Sequence, residues 1–131
     1  RHPEKLAILS RLGIATQLAD APLPAPADTV VDCTGSAAGF DQARRLVRPR
    51  GRLIVKSTFH GDNTVNLSSL VVDEVTLIGS RCGPFAPALR LLGRGLVDVE
   101  SLVECEYPIE EGVTAFERAA QPDALKVLVR L

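Results

Sequence analysis

Three short stretches place small hydroxyl residues or glycine directly after an apolar run. They are Thr34-Gly35-Ser36, Ser57-Thr58-Phe59 and Ser80-Arg81-Cys82-Gly83. In an open α/β sheet, ligands bind beyond the carboxyl ends of the strands. Small residues at such ends let a flat ligand lie close to backbone N–H and C=O groups. The same residue types also punctuate ordinary strand-to-helix turns. The pattern marks a place for a ligand and does not by itself name a reaction.

Other constellations carry less. The cysteines Cys33, Cys82 and Cys105 are odd in number and widely spaced, with no CxxC or CxxH pair. Neither His2 nor His60 stands near one of them in sequence, so the spacing is not that of a zinc site. Three unpaired thiols fit a reducing cytoplasm. Ser57, His60 and Asp62 share one loop, but no GxSxG elbow supports a serine triad. The acidic pairs Asp73-Glu74 and Glu110-Glu111 are sequence neighbours, and neighbours do not converge on one strand face. Arg44, Arg45, Arg48, Arg50 and Arg52 form a basic cluster that fits either phosphate or a solvated helix end. With four Phe and one Tyr, platforms for stacking bases are scarce.

The elements that must hold these residues are legible in outline. Pro3 to Leu12 reads as a helix, with Pro3 in its first turn and Gly13 as its stop. Ile14 to Ala19 reads as a short strand, and the alternate prolines Pro22, Pro24 and Pro26 as an extended connector. Thr29 to Thr34 is a strand that ends where a helix opens at Gly35-Ser36, with Phe40, Ala43 and Leu46/Val47 on the buried face. Pro49-Arg50-Gly51 reads as a turn, Arg52 to Lys56 as a strand, Ser57 to Asn66 as a polar loop, and Val75 to Gly79 as another strand. Gly83-Pro84 then breaks the chain before a helix at Ala86 to Leu92. Beyond Gly95, Val103, Cys105 and Tyr107 alternate with Glu104 and Glu106, as on a half-exposed strand. Glu110 to Ala120 reads as a helix with Val113, Phe116 and Ala120 inward, and Leu125 to Leu131 as a last strand with Lys126 and Arg130 outward. Strands alternating with helices predict βαβ units on a parallel sheet, so the expected class is α/β.

The 131 residues and 14.0 kDa allow one ordinary domain. Hydrophobic residues at 46% and a mean hydropathy of +0.15 exclude general disorder. Fifteen Lys and Arg against sixteen Asp and Glu leave a net charge of −1. That is too little to hold nucleic acid or an anionic membrane by field alone. The apolar runs are too short to span a bilayer. There is no methionine, and the chain opens on Arg1-His2-Pro3-Glu4-Lys5, which points to a piece of a longer protein.

Five runs together resemble a known family. They are Val30-Val31-Asp32-Cys33-Thr34-Gly35, Gly51-Arg52-Leu53-Ile54-Val55, Leu77-Ile78-Gly79-Ser80, Ala115-Phe116 and Ala124-Leu125-Lys126-Val127. In this order and at similar distances they resemble the medium-chain dehydrogenases of the alcohol dehydrogenase superfamily, most nearly the zinc-type branch. Arg1-His2-Pro3-Glu4-Lys5-Leu6 looks like the segment after the second strand of that family's nucleotide-binding domain.

The resemblance implies an NAD(P)-dependent oxidoreductase that moves a hydride between nicotinamide and an alcohol or carbonyl carbon. A zinc ion held by residues outside this chain would polarise the substrate oxygen. It implies Lys5 near the adenosine ribose, Cys33 and Thr34 at the adenine side, and Lys56, Ser57 and Thr58 along the nicotinamide. Ser80 and Cys82 would face the carboxamide, and Lys126 would reach the pyrophosphate. It also implies a homo-oligomer joined through strand Val75 to Gly79, with no nucleic-acid or membrane partner. Residues 1–100 would be a partial Rossmann domain lacking its first two strands, and 101–131 a return segment of the catalytic domain. Within the same family, a zinc-free quinone or enoyl reductase is the competing expectation for the parent protein.

No GxGxxG is present, and the one GxG, Gly93-Arg94-Gly95, ends a helix. The isolated chain is therefore expected to be inactive. A cation at Arg1 would suit NADP, though a solvated terminal charge explains it as well. With the family's strands 1 and 2 absent, Ile14 to Ala19 loses its neighbour and Thr29 to Cys33 keeps a bare edge that invites assembly. The contrasting expectation is a non-enzymatic α/β module that binds a protein partner through that edge.

Overall fold

Leu53-Ile54-Val55 becomes the middle of a parallel sheet in a computed structural model that describes residues 2–58 and 64–131. The Arg1 expectation, and His60 and Asp62 of the possible triad, lie outside the described residues, as does Phe59. The elements run α1 (Pro3–Arg11), β1 (Ala27–Asp32), α2 (Ala37–Leu46), β2 (Val47–Val55), α3 (Leu67–Val72) and β3 (Thr76–Gly79). They continue with α4 (Phe85–Gly93), β4 (Val103–Pro108), α5 (Gly112–Ala119) and β5 (Lys126–Arg130). The chain divides into two units, one of residues 22–83 and one of residues 1–21 with 84–131.

In the first unit, β1, β2 and β3 lie side by side in that order, all parallel. Val30 pairs with Leu53 and Leu53 with Leu77, so the apolar runs stack across the sheet. Helix α2 covers one face. Its buried residues Phe40 and Ala43 meet Val47 and Leu53, with Val30, Val55, Val65 and Val75 around them. This is the face that the sequence spacing predicts. Ser36 caps α2 by accepting the Gly39 N–H at 3.1 Å. Helix α3 is absent from the sequence reading. It is six residues long and opens on Asn66, whose side chain accepts the Ser69 N–H at 3.3 Å.

Pro49-Arg50-Gly51 does not separate two elements as expected. It lies inside β2 as an irregularity, because the pairing jumps from Ala27↔Val47 to Thr29↔Arg52. Arg50 takes φ 61 and its N–H donates to the Asp73 carbonyl at 2.7 Å, so the bend is held from outside the strand. A Cβ on Gly51 would stand 2.8 Å from the Arg48 carbonyl, which is why glycine occupies the fold-back. The basic cluster is largely consumed here. Arg44 pairs with Asp73, Arg48 with Asp28, and Arg50 with Glu74 at 3.2 Å, while Arg52 donates to Thr29 Oγ1 at 3.2 Å.

In the second unit, β4 and β5 pair in parallel and α5 packs on them through Ala115. Two expectations fail in this unit. Ile14 to Ala19 forms no strand, because a strand exists only by pairing and no neighbour stands beside it among the described residues. Val113 and Phe116 are not inward. They are 75% and 77% exposed, and Ala120 is exposed too. A 3₁₀ turn occupies Ile109–Glu111, so α5 starts later than expected, and Ala115 is the residue it buries. No helix among the described residues is long and apolar enough to cross a membrane.

Candidate functional site

The carboxyl ends of the three parallel strands are built around Asp32, a residue the sequence reading passed over. Asp32 closes β1 and is only 4% exposed. Its Oδ1 accepts the Thr34 N–H at 2.9 Å and the Thr34 hydroxyl at 2.7 Å. This is a side-chain-closed turn of the kind aspartate favours. The backbone carbonyl of Asp32 accepts the Lys56 N–H at 2.9 Å and the Ser57 hydroxyl at 3.3 Å. One residue thus ties the end of β1 to the end of β2. Asp followed two residues later by Thr at the end of an apolar run is the signal that could have found it.

Glycine 35 follows in the left-handed region at φ +67, where its missing side chain relieves strain. A Cβ there would lie 3.8 Å from the Thr58 carbonyl, so the Gly35 and Thr58 backbones approach closely. The third strand joins by two bonds. The Ser80 N–H donates to the Val55 carbonyl at 3.0 Å, and Lys56 Nζ donates to the Arg81 carbonyl. Thr34, Lys56, Ser57, Thr58 and Ser80 therefore share one edge. Cys33 and Cys82 flank it as exposed free thiols.

Lys5 and Lys126 belong to the other unit. Lys5 Nζ donates to the carbonyls of Pro122 at 3.0 Å and Ala124 at 2.9 Å, leaving one of its three hydrogens unassigned. Lys126 opens β5 and is exposed. Nearby, Glu104 accepts the Leu125 N–H at 2.8 Å and pairs with Arg118, and Arg118 also grips Asp123 through two bonds of 3.1 and 3.2 Å.

These bonds hold the Glu104 carboxyl below its ordinary value, first through the Leu125 amide and then through Arg118. Arg118 does the same for Asp123, and its own guanidinium is driven further toward the charged form. A carboxylate whose pKa falls on folding stabilises the fold above its unfolded pKa and loses that contribution as pH falls through the folded one. Carboxyl NMR should therefore show Glu104 and Asp123 titrating below their ordinary 4.5 and 3.8. Arg118→Ala should move both upward. Titration at the ordinary values in the wild type would show that the cluster does not hold in solution.

The edge presents hydroxyls, backbone groups and one ammonium beside a glycine without Cβ, a donor and acceptor set that fits a flat polar ring. It does not fit a metal: no group of three or more His, Cys, Asp or Glu stands together among the described residues. Comparisons with known proteins agree with the parallel architecture. The alcohol dehydrogenase TADH from Thermus sp. ATN1 superposes with a TM-score of 0.88 at 26% identity, over 100% of this chain and 42% of that one. A short chain alcohol dehydrogenase from E. coli CFT073, complexed with NADH, shares the fold with a TM-score of 0.85 at 17% identity, over 100% and 43%. Sorbitol dehydrogenase from Halalkalibacterium halodurans is 30% identical over 107 residues, which is 79% of this chain and 31% of that protein. The chain spans about a third of that curated relative's length. Residues 1–94 match the family described as zinc-binding dehydrogenase, and the chain belongs to that family.

Proposed function

We propose that this chain forms part of the nicotinamide-cofactor wall of an NAD(P)-dependent oxidoreductase acting on an alcohol or carbonyl substrate. One observation carries the reading: hydrogen bonds through Asp32, Lys56 and Ser80 join the three strand ends into one edge of small polar residues. Bound there, the cofactor supplies hydride chemistry. The residues of the chain bind and orient it. Lys56, Ser57 and Thr58 line the nicotinamide, Ser80 and Cys82 its carboxamide, and Cys33 and Thr34 the adenine side. Lys5 meets the ribose with its remaining hydrogen, and Lys126 meets the pyrophosphate. The residues that would hold this family's zinc lie outside this chain, and the chain alone is inactive.

The finer organisation follows the same reading. Residues 1–100 belong to the nucleotide-binding domain and 101–131 to the catalytic one. Two copies pair through the outer edge of β3, where Leu77 and Ile78 are exposed and no strand pairs among the described residues. The three free cysteines suit a cytoplasmic setting.

A second reading rests on the outer edge of β1. It has no partner strand among the described residues, and Val31 on that strand is 50% exposed. A non-enzymatic module would bind a protein there. Isolation of the native product from its source separates the two readings. We expect a polypeptide on the order of 300 residues or more that reduces NAD or NADP with an alcohol or polyol. A native product of 14.0 kDa that binds neither nucleotide would overturn the oxidoreductase reading and leave the edge-binding module.

A further inference from the structure

The connector between α5 and β5 is held far more firmly than such a connector requires. Residues 122 to 125 are gripped one after another. Lys5 from α1 takes the carbonyls of Pro122 and Ala124. Arg118 from α5 takes the carboxylate of Asp123 through two bonds, and Glu104 from β4 takes the Leu125 N–H. Arg118 and Glu104 also bind each other. Three side chains from three elements thus converge on four consecutive residues. Holding long charged side chains in one rotamer is costly. Surface connectors are ordinarily among the more mobile segments of a fold.

The pairing of β4 with β5 explains how Glu104 comes to point this way. Val103 pairs with Lys126 and Cys105 with Val127, so Glu104 is an extra residue opposite no partner. A bulge of this kind re-aims the side chain it carries. Here it sends a carboxylate to the Leu125 amide, the last backbone N–H before Lys126. The clamp's own charges balance, with Lys5 and Arg118 against Glu104 and Asp123. The clamp holds the backbone that leads directly into Lys126, whose exposed ammonium carries a charge with no acidic partner among the described residues.

We infer that Glu104, Arg118 and Lys5 are positioning residues that set where Lys126 stands, and so set affinity for the dinucleotide's pyrophosphate. The inference rests on the cofactor reading above. Its test uses the full-length protein that carries this chain, with NADH and NADPH as probes and nicotinamide fluorescence as readout. Glu104→Ala should raise the Kd for the preferred nucleotide about tenfold, the scale of one charge-assisted hydrogen bond. Lys126→Ala should weaken binding at least as much, and the double variant should match Lys126→Ala alone, because both act through one contact. Glu104→Gln keeps an acceptor for the Leu125 amide and should lose less than Glu104→Ala. The inference is overturned if Glu104→Ala frees the Leu125 amide to exchange but leaves the Kd unchanged, or if the two losses multiply in the double variant. A wild-type protein that binds neither nucleotide would instead remove the cofactor reading itself, before any variant is made.

Discussion

Leu53→Ala should lower the unfolding free energy of the three-stranded unit by about 2–5 kcal/mol, the range for emptying a fully buried leucine site. Leu53 is 0% exposed and is the largest side chain buried so completely. It sits toward the carboxyl end of the middle strand, paired with Val30 on one side and Leu77 on the other. It also meets Phe40, Ala43 and Val47, so it is the point at which α2 joins the sheet. Among the described residues the buried cluster has those four members, with the stiff β-branched Val30, Val55, Val65 and Val75 packed against it. Amide exchange along β2 should accelerate more than about tenfold, since each 1.4 kcal/mol is a factor of ten. Val31→Ala, on the exposed edge strand, is the control and should change stability by less than about 1 kcal/mol. If the two variants proved equally mild, α2 would not be seated on the sheet as described.

Both the successes and the failures of the sequence reading have local causes. The strands at Thr29 and Arg52 are legible because each carries a short unbroken apolar run, although Val31, Leu77 and Ile78 on this sheet stand exposed. The start of α2 was visible because Ser36 caps it in the ordinary way. Ile14 to Ala19, interrupted by Thr16 and Gln17, also reads as a strand, but pairing is a property of neighbours and composition does not encode it. The expected turn at Pro49-Arg50-Gly51 is instead an irregularity within β2. That it continues the strand depends on Asp73 and Glu74, more than twenty residues away, accepting bonds from Arg50. Helix α5 is legible but its inward face is not, since the small Ala115 is buried while the larger Val113 and Phe116 stand exposed. The candidate edge was legible through the rule on strand ends, and its organiser was not. Asp32 reads as one more polar residue until its four bonds are in place.

Gly39→Ala should damage the fold and the candidate edge together. Gly39 is the third residue of α2, where alanine is ordinarily the better helix former by about 0.5–1 kcal/mol. An added Cβ would stand 1.8 Å from Thr34 Oγ1, 2.4 Å from its Cβ and 2.7 Å from its Cγ2. Such separations do not exist in folded proteins, so Thr34 or the helix must move. Overpacking of this kind costs typically about 1–3 kcal/mol, which outweighs the helical gain. The direction of movement matters for function. Thr34 donates both its N–H and its hydroxyl to the buried Asp32 carboxylate, and a displaced Thr34 leaves that carboxylate without these donors. Since Asp32 also ties β1 to Lys56 and Ser57, the disturbance reaches the middle strand end. We expect a lower urea midpoint, shifted NMR resonances at Thr34, Lys56 and Ser57, and weaker nucleotide binding in the full-length protein. Thr34→Gly removes all three clashing atoms, so the double variant should recover part of the stability lost by Gly39→Ala. Thr34→Gly alone should be destabilising through its lost hydroxyl bond. A Gly39→Ala protein as stable as wild type, with Thr34 unshifted, would show that α2 stands farther from the end of β1 than this structure places it. Additive losses in the double variant would show that the two residues are not in contact.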